Sequence, residues 1–182
     1  HIRHLPGGLF TDVVFGVDPT KALKEKDILR FEGPLGSFFL REDSDKPIIF
    51  IASGTGFAPI KAIVNHIRNE GIERPITLYW GGRRPTDLYQ DALCKEWESS
   101  IKNFKYVPVI SDALPEDNWQ GRTGFVHAAA VADFPDMSGH QVYACGAPIV
   151  ISSAINDFTK KCQLPEEEFY ADSFTSEADL NK

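Results

Sequence analysis

The stretch IIFIASGTGFAPIKAIV, residues 48–64, combines three signals that decide the fold. Its first six residues are almost all apolar, as in a strand that is covered on both faces of a sheet. The glycines of Gly54–Gly56 follow and favour a tight turn. Apolar residues then recur at helical spacing: Ile60, Ile63, Val64 and Ile67. The stretch therefore predicts a strand, a glycine turn and a helix, which is the repeating unit of a parallel α/β sheet.

The same alternation continues to the end of the chain. Strands are predicted over residues 48–53, 76–80, 105–111, 141–145 and 168–174. Two more helices are predicted, from Asp87 to Ser100 and around the apolar face of residues 151–162. Strands that alternate with helices form a parallel sheet with right-handed crossovers. We therefore predict a five-stranded parallel Rossmann-like α/β domain over residues 46–182.

Residues 1–45 have a different rhythm, with short β-like runs and turns. HIRHL (1–5) reads as a strand, PGG (6–8) as a turn, and ILRFEGPLGSFFLRE (28–42) as two short strands that glycines and a proline separate. We predict a separate segment of β structure and turns over residues 1–45, with a boundary near EDSDK (42–46). Because the chain starts at His1 without a methionine, we also expect a processed or truncated product.

Composition excludes several classes of protein. The net charge of −7 disfavours a nucleic-acid role, and no apolar run reaches the roughly 18 residues of a membrane helix. The three cysteines are too scattered for a disulfide framework or a CxxC metal site, which favours a reducing, cytoplasmic setting. No HExxH or GxSxG motif occurs. We expect neither a bound metal nor a serine nucleophile.

The glycine turn is a candidate anion site. Parallel sheets bind ligands at the carboxyl ends of their strands, and a helix amino terminus there offers backbone N–H groups to phosphate. Pro59 fits the first turn of the helix. The acidic residue that a Rossmann fingerprint places about 20 residues further on is missing, and Arg83 and Arg84 occur in that region instead. A strand-to-helix turn without a ligand is the alternative.

Taken together, seven stretches resemble the ferredoxin–NADP(+) reductase superfamily, and most closely its flavin reductase and CDP-6-deoxyglucoseen reductase-like branch. They occur in the order of the family and cover nearly the whole chain. The stretches are HIRHLPGGLFT (1–11), FEGPLGSFFLRE (31–42), IIFIASGTGFAPIKAIV (48–64), LYWGGRRPTDLY (78–89), WQGRTGFVH (119–127), VYACGAP (142–148) and FYADSF (169–174).

The resemblance implies a flavoprotein that pairs an antiparallel FAD-binding β-barrel with an NAD(P)H-binding α/β domain. Residues 1–45 then correspond to the carboxyl-terminal part of the barrel. Hydride would pass from NAD(P)H to FAD, and electrons would continue to an iron–sulfur or other acceptor, protein or domain. The family's glycine turn ends in proline, as GTGFAP does.

The resemblance also implies cofactor contacts. Gly8 and Thr11 match the turn that binds the FAD pyrophosphate. The nicotinamide and pyrophosphate pocket is assigned to the glycine turn, namely Gly54, Thr55, Gly56 and Pro59. We expect a side chain at Gly56 to obstruct a bound pyrophosphate.

Further roles are implied for residues at the ends of later strands. Arg83 or Arg84 matches the contact to the adenosine ribose or its 2′-phosphate, and Cys145 and Gly146 match the Cys-Gly pair beside the nicotinamide ring. Phe174 matches the aromatic residue that packs on the flavin. Cys145 and Phe174 are thus the candidate catalytic residues. The alternatives are a buried hydrophobic cysteine, two solvated arginines and a core phenylalanine.

Two rival functions stay open. The family's Arg-x-Tyr-Ser flavin motif does not occur in the chain, which favours a pyridine-nucleotide-binding module without turnover. A Rossmann dehydrogenase without flavin is the other rival, and Pro59 and the missing acidic residue disfavour it.

Overall fold

A computed structural model describes residues 1–174, and Thr175–Lys182 lie outside the described residues. The chain divides into two compact units, of which the first is His1–Ser37 and the second begins at Phe38. The first unit contains turns and one short helix, α1 (Leu9–Val14). None of its residues is buried.

The antiparallel strands predicted for residues 1–45 are not found, because the structure has no β-strand between residues 1 and 47. A strand requires a partner for its backbone hydrogen bonds, and none is present in this unit. Its large apolar side chains are exposed to solvent: Leu9 by 95%, Ile28 by 97% and Phe31 by 84%. A unit of this size buries too little apolar surface to support a sheet of its own.

The second unit is built on six parallel strands, where five were predicted. Their order across the sheet is β4-β3-β2-β1-β5-β6. The strands are β1 (Ile48–Ser53), β2 (Ile76–Gly82), β3 (Phe104–Ile110), β4 (Arg122–Thr123), β5 (Gln141–Gly146) and β6 (Phe169–Ser173). The additional strand, β4, has only two residues, too few to show a periodic pattern in the sequence.

Helices cover both faces of this sheet. α2 (Phe57–Glu70) and α3 (Asp91–Ser100) pack on one face, where the core includes Phe50 and Trp80. α4 (Val126–Asp133) and α5 (Pro148–Lys161) pack on the other. Every residue of β1 except Ser53 is buried, as expected for a strand between two helical layers. No helix within residues 1–174 is long and apolar enough to cross a membrane.

Two helices differ from the sequence prediction. α3 begins at Asp91 and not at Asp87, because Asp87 closes a 3-10 turn by accepting the backbone N–H groups of Arg83 and Arg84 at 2.8 and 3.0 Å. α4 was not predicted, since its sequence VHAAAVAD has small apolar residues around most of its circumference and therefore no clear polar face.

A polar network holds the sheet together at the amino ends of its strands. The guanidinium group of Arg74, 4% exposed, donates to the backbone oxygens of Lys46 at 2.7 Å and Arg41 at 3.1 Å. It also donates to Gln141 Oε1 at 2.8 Å, and Gln141 Nε2 donates to Glu168 Oε2 at 2.8 Å. These groups precede or begin β1, β2, β5 and β6, so one buried cation connects four strands.

Replacement of Arg74 by methionine is expected to lower the free energy of unfolding by about 2–4 kcal/mol, because three acceptors lose a charged donor. Arg68→Met is the matched control, since Arg68 is exposed in the last turn of α2 and should cost no more than about 1 kcal/mol. Urea denaturation of both variants measures the difference. If both variants lost the same free energy of unfolding, the hydrogen bonds of Arg74 would contribute no more than the removal of any surface positive charge.

Candidate functional site

The strand order reverses direction beside β1. From β1 the chain proceeds outward through β2, β3 and β4, and then returns to form β5 and β6 on the other side. β1 and β5 pair in parallel, with Ala52 opposite Cys145, so their carboxyl ends are neighbours. Open parallel sheets bind ligands in the crevice at this switch point. The glycine turn and the Cys145–Gly146 pair are far apart in the sequence. They therefore meet at the carboxyl ends of β1 and β5.

Backbone packing determines the residue type at position 56. A β-carbon built on Gly56 would overlap the Cys145 carbonyl group and would lie 2.8 Å from the Gly146 Cα. The 3-10 turn Gly54–Gly56 and the start of α2 thus approach the end of β5 more closely than any side chain permits. The expected obstruction at Gly56 therefore arises first from the protein's own backbone, and a bound pyrophosphate is not needed to explain the glycine.

Gly146 is constrained from the opposite side. Its φ of +147° is rarely adopted by residues with a side chain, and an added β-carbon would overlap the hydroxyl of Ser53. That hydroxyl accepts the backbone N–H of Ala147 at 3.1 Å. Ser53 therefore connects the end of β1 to the residue that precedes α5. Sequence reasoning missed this role, since Ser53 appeared only as the last residue of a strand.

Trp80 contacts the glycine turn through a hydrogen bond and through the residue that follows the turn. Its indole Nε1 donates to the Gly54 carbonyl oxygen at 3.2 Å, and its ring stacks on Phe57 with centroids 4.1 Å apart and planes 10° apart. Both rings are fully buried. The turn is thus held by a hydrogen bond whose donor cannot rotate away. No sequence motif indicates this contact, because Trp80 follows Gly54 by a full helix and most of a strand.

Two helices begin at the switch point without a capping side chain. Gly56 precedes α2 and Ala147 precedes α5, and neither end has a side-chain hydrogen bond to its first N–H groups. Pro59 lies in the first turn of α2, as expected, and Thr55 is partly exposed within the turn. The first residue of each helix offers no free donor, since the Phe57 N–H donates to the Gly54 and Thr55 oxygens and Pro148 has no N–H. The positive dipole ends of both helices still favour an anion at this position.

Cys145 is buried in the core layer of α2 and α3. Burial, and then the neighbouring Asp172, raise the pKa of its thiol to about 12. The thiol is therefore protonated at neutral pH and unsuited to nucleophilic chemistry. What Cys145 offers the site is its backbone, against which Gly56 packs.

Phe174 lies beside the switch point through its main chain. Its backbone N–H donates to the Gly146 oxygen at 2.9 Å, and its side chain is 42% exposed. The alternative of a core residue in the last strand does not fit Phe174, which follows the end of β6 and has an exposed side chain. The segment after it, Thr175–Lys182, falls outside the described residues.

The two arginines after β2 have different surroundings. The guanidinium fork of Arg84 donates to both carboxylate oxygens of Asp117 at 2.8 Å. The side chain of Arg83 is 81% exposed and reaches Asp112 at 3.4 Å. The structure thus distinguishes a clamped arginine from an accessible one, although the sequence shows only an adjacent pair.

Gly8 and Thr11 belong to a turn of the first unit. The Thr11 hydroxyl donates to the Leu5 carbonyl at 2.9 Å and accepts the Leu5 N–H at 3.2 Å. The side chain of Thr11 is thus occupied in closing its own turn. The proposed contact of Gly8 and Thr11 with FAD stays a prediction that rests on the resemblance.

Comparison with known proteins agrees with this geometry. A family model described as the oxidoreductase NAD-binding domain matches residues 50–155. The chain is 43% identical over 176 residues to Protein RfbI of Salmonella typhimurium strain LT2, covering 97% of this chain and 50% of that protein. It is 41% identical over 174 residues to the CDP-6-deoxy-L-threo-D-glycero-4-hexulose-3-dehydrase reductase of Yersinia pestis, covering 96% and 50%.

Among solved structures, the Amycolatopsis cytochrome P450 reductase GcoB superposes with a TM-score of 0.77 at 28% identity, covering 96% of this chain and 51% of GcoB. The chain thus spans about half the length of the proteins it matches. The matched domain contains the glycine turn, both arginines and the Cys145–Gly146 pair. The chain therefore belongs to the ferredoxin reductase-like family of oxidoreductases, and its residues 50–155 match the NAD-binding domain of that family.

Proposed function

We propose that the protein is a flavin-dependent NAD(P)H oxidoreductase that passes hydride from NAD(P)H to FAD and electrons onward to an iron–sulfur or other acceptor. The observation that supports the proposal is the switch point, where Gly56 packs against the backbone of Cys145 and Gly146 and where α2 and α5 begin without a capping side chain. Open parallel sheets bind dinucleotides at this edge, because backbone N–H groups there can hold a pyrophosphate without a competing side chain.

Each predicted residue has a task in this proposal. The Gly54–Gly56 turn and Thr55 hold the pyrophosphate and nicotinamide, while the backbone of Cys145 and Gly146 forms the opposite wall. Pro59 lies in the first turn of α2, where its missing N–H costs no hydrogen bond. Arg83 contacts the adenosine ribose. Arg84 acts indirectly, because its fork to Asp117 fixes the loop on which Arg83 lies.

The flavin supplies hydride acceptance and single-electron transfer when it is bound. The chain contributes alignment, since a nicotinamide held against a flavin reacts without acid–base assistance. Phe174 is proposed to cover that position, and two observations support this role: its main chain is bonded to Gly146 and its side chain is 42% exposed. Gly8 and Thr11 are proposed to face the FAD pyrophosphate. The similar proteins include the reductase of a dehydrase and a cytochrome P450 reductase. This favours an electron acceptor that lies on another protein or domain.

A second function, nucleotide binding without turnover, is favoured by one observation. Residues 1–37, which carry the proposed FAD turn, have no strand and no buried residue in the structure. A chain whose flavin turn is not supported by a sheet can bind pyridine nucleotide and still fail to hold FAD.

The first experiment separates the two functions. The chain is incubated with excess FAD, desalted, and examined by visible absorbance before and after anaerobic addition of NADH. The proposed reductase retains a flavin band that bleaches with NADH, and colourless protein that still binds NADH is the binding module. Colourless protein that binds no NADH contradicts both.

Gly56→Ala is expected to weaken NADH binding roughly tenfold or more, because the added carbon separates α2 from the end of β5. Gly139→Ala is the matched control, since a β-carbon there meets nothing within 4 Å. Calorimetric titration gives the affinities, and circular dichroism shows whether the variants are folded. A folded Gly56→Ala protein with unchanged affinity for NADH would contradict the proposal that the nucleotide binds beside Gly56.

Cys145 is expected to resist alkylation in the folded protein. With a thiol pKa of about 12, the thiolate fraction at pH 8 is on the order of one in ten thousand, and burial excludes the reagent as well. Mass spectrometry after iodoacetamide treatment, with and without denaturant, measures this. Rapid labelling of native Cys145 would show that the thiol is accessible and reactive, which would contradict a purely structural role.

A further inference from the structure

The loops that follow β2 and β3 place three carboxylates near the guanidinium groups of Arg83 and Arg84 and a fourth on their backbone N–H groups. Asp112 contacts Arg83 at 3.4 Å, and both oxygens of Asp117 contact Arg84 at 2.8 Å. Glu116 lies 3.8 Å from Arg84. Asp87 accepts the backbone N–H groups of both arginines. The local charge is therefore negative, although the sequence there shows two adjacent arginines.

This cluster lies at the ligand edge of the sheet. β2 is the strand next to β1, so its carboxyl end is about 5 Å along the edge from the glycine turn. Backbone hydrogen bonds hold the two loops together, since Ser111 N–H donates to Gly82 at 2.9 Å and Asp112 N–H to Arg83 at 3.0 Å. The proposed function assigns the adenosine ribose of a dinucleotide to this position, with its pyrophosphate at the glycine turn.

NADH and NADPH differ only at the adenosine ribose. NADH has a 2′-hydroxyl there, which can donate a hydrogen bond to a carboxylate, whereas NADPH has a phosphate with nearly two negative charges. Sequence reasoning looks for the selecting acid about 20 residues after the turn. In this chain Asp112 occurs far later in the sequence and still meets Arg83 in space.

We propose that the carboxylates of Asp112, Glu116 and Asp117 make the adenosine site selective for NADH by occupying the arginines that would otherwise bind a 2′-phosphate. The inference rests on the proposed function. Two donors of the Arg84 guanidinium, Nε and Nη2, are bonded to Asp117, so fewer of its N–H groups remain for a phosphate than on Arg83. The hydrogen bond from Arg84 also holds the pKa of Asp117 below its usual value, so this carboxylate is charged at neutral pH.

Asp112 is the residue that controls the accessible arginine. Its side chain is 55% exposed, and the bond to Arg83 is the side-chain contact that the structure gives it. Replacing Asp112 by asparagine therefore frees Arg83 for phosphate and removes one repelling charge, without loss of a buried contact. A guanidinium group of this kind recognises phosphate well.

Calorimetric titration of the whole chain with NADH and with NADPH tests the inference. The unmodified chain is expected to bind NADH roughly tenfold or more tightly than NADPH. Asp112→Asn should strengthen NADPH binding about five- to tenfold at low ionic strength and change NADH binding little, and added NaCl should reduce this gain. Asp43→Asn, an equal change of net charge in the exposed loop before β1, should alter neither affinity.

A double variant identifies the group that binds the phosphate. Adding Arg83→Gln to Asp112→Asn should abolish the gain for NADPH. Equal affinities in the unmodified chain, tighter NADPH binding, or no gain in Asp112→Asn would each overturn the inference and leave the proposed function intact. Failure of the chain to bind either nucleotide would instead remove the proposed function, and the inference with it.

Discussion

The close approach of Gly56 to the Cys145 carbonyl group is the constraint on which the site depends. It brings the end of β1, the start of α2 and the end of β5 into direct backbone contact. Trp80 and Ser53 then fix this arrangement by hydrogen bonds, one from each side. The two uncapped helix ends converge only because no side chain separates them. A site made in this way recognises a ligand mainly through its main chain.

The parts that sequence could predict are those with a local physical signal. β1 was predicted with the correct bounds because a strand buried on both faces is apolar throughout, and the glycine turn followed from its position between a strand and a helix. The helix α4 was missed because its alanines give no polar face. The strands of residues 1–45 were predicted from residue types that favour β structure, but such residues form strands only where a partner exists.

Contacts between distant segments lay beyond sequence reasoning. Arg83 and Arg84 are neighbours with the same charge, yet their partners come from a loop about 30 residues away, and only the fold shows which of them is clamped. The same holds for Trp80, whose bond to Gly54 crosses from one strand to the next. Such pairs have no spacing rule, because each depends on the register of the sheet.

The network around Arg74 lies at the end of the sheet opposite the glycine turn. The interactions that keep the strands together are therefore separated, by the length of a strand, from the loops that would meet a ligand. Loops such as residues 111–118 are free to exchange acidic for basic residues without disturbing the buried cation that holds four strands in place. A change of charge in these loops would therefore leave the contacts that join the strands intact.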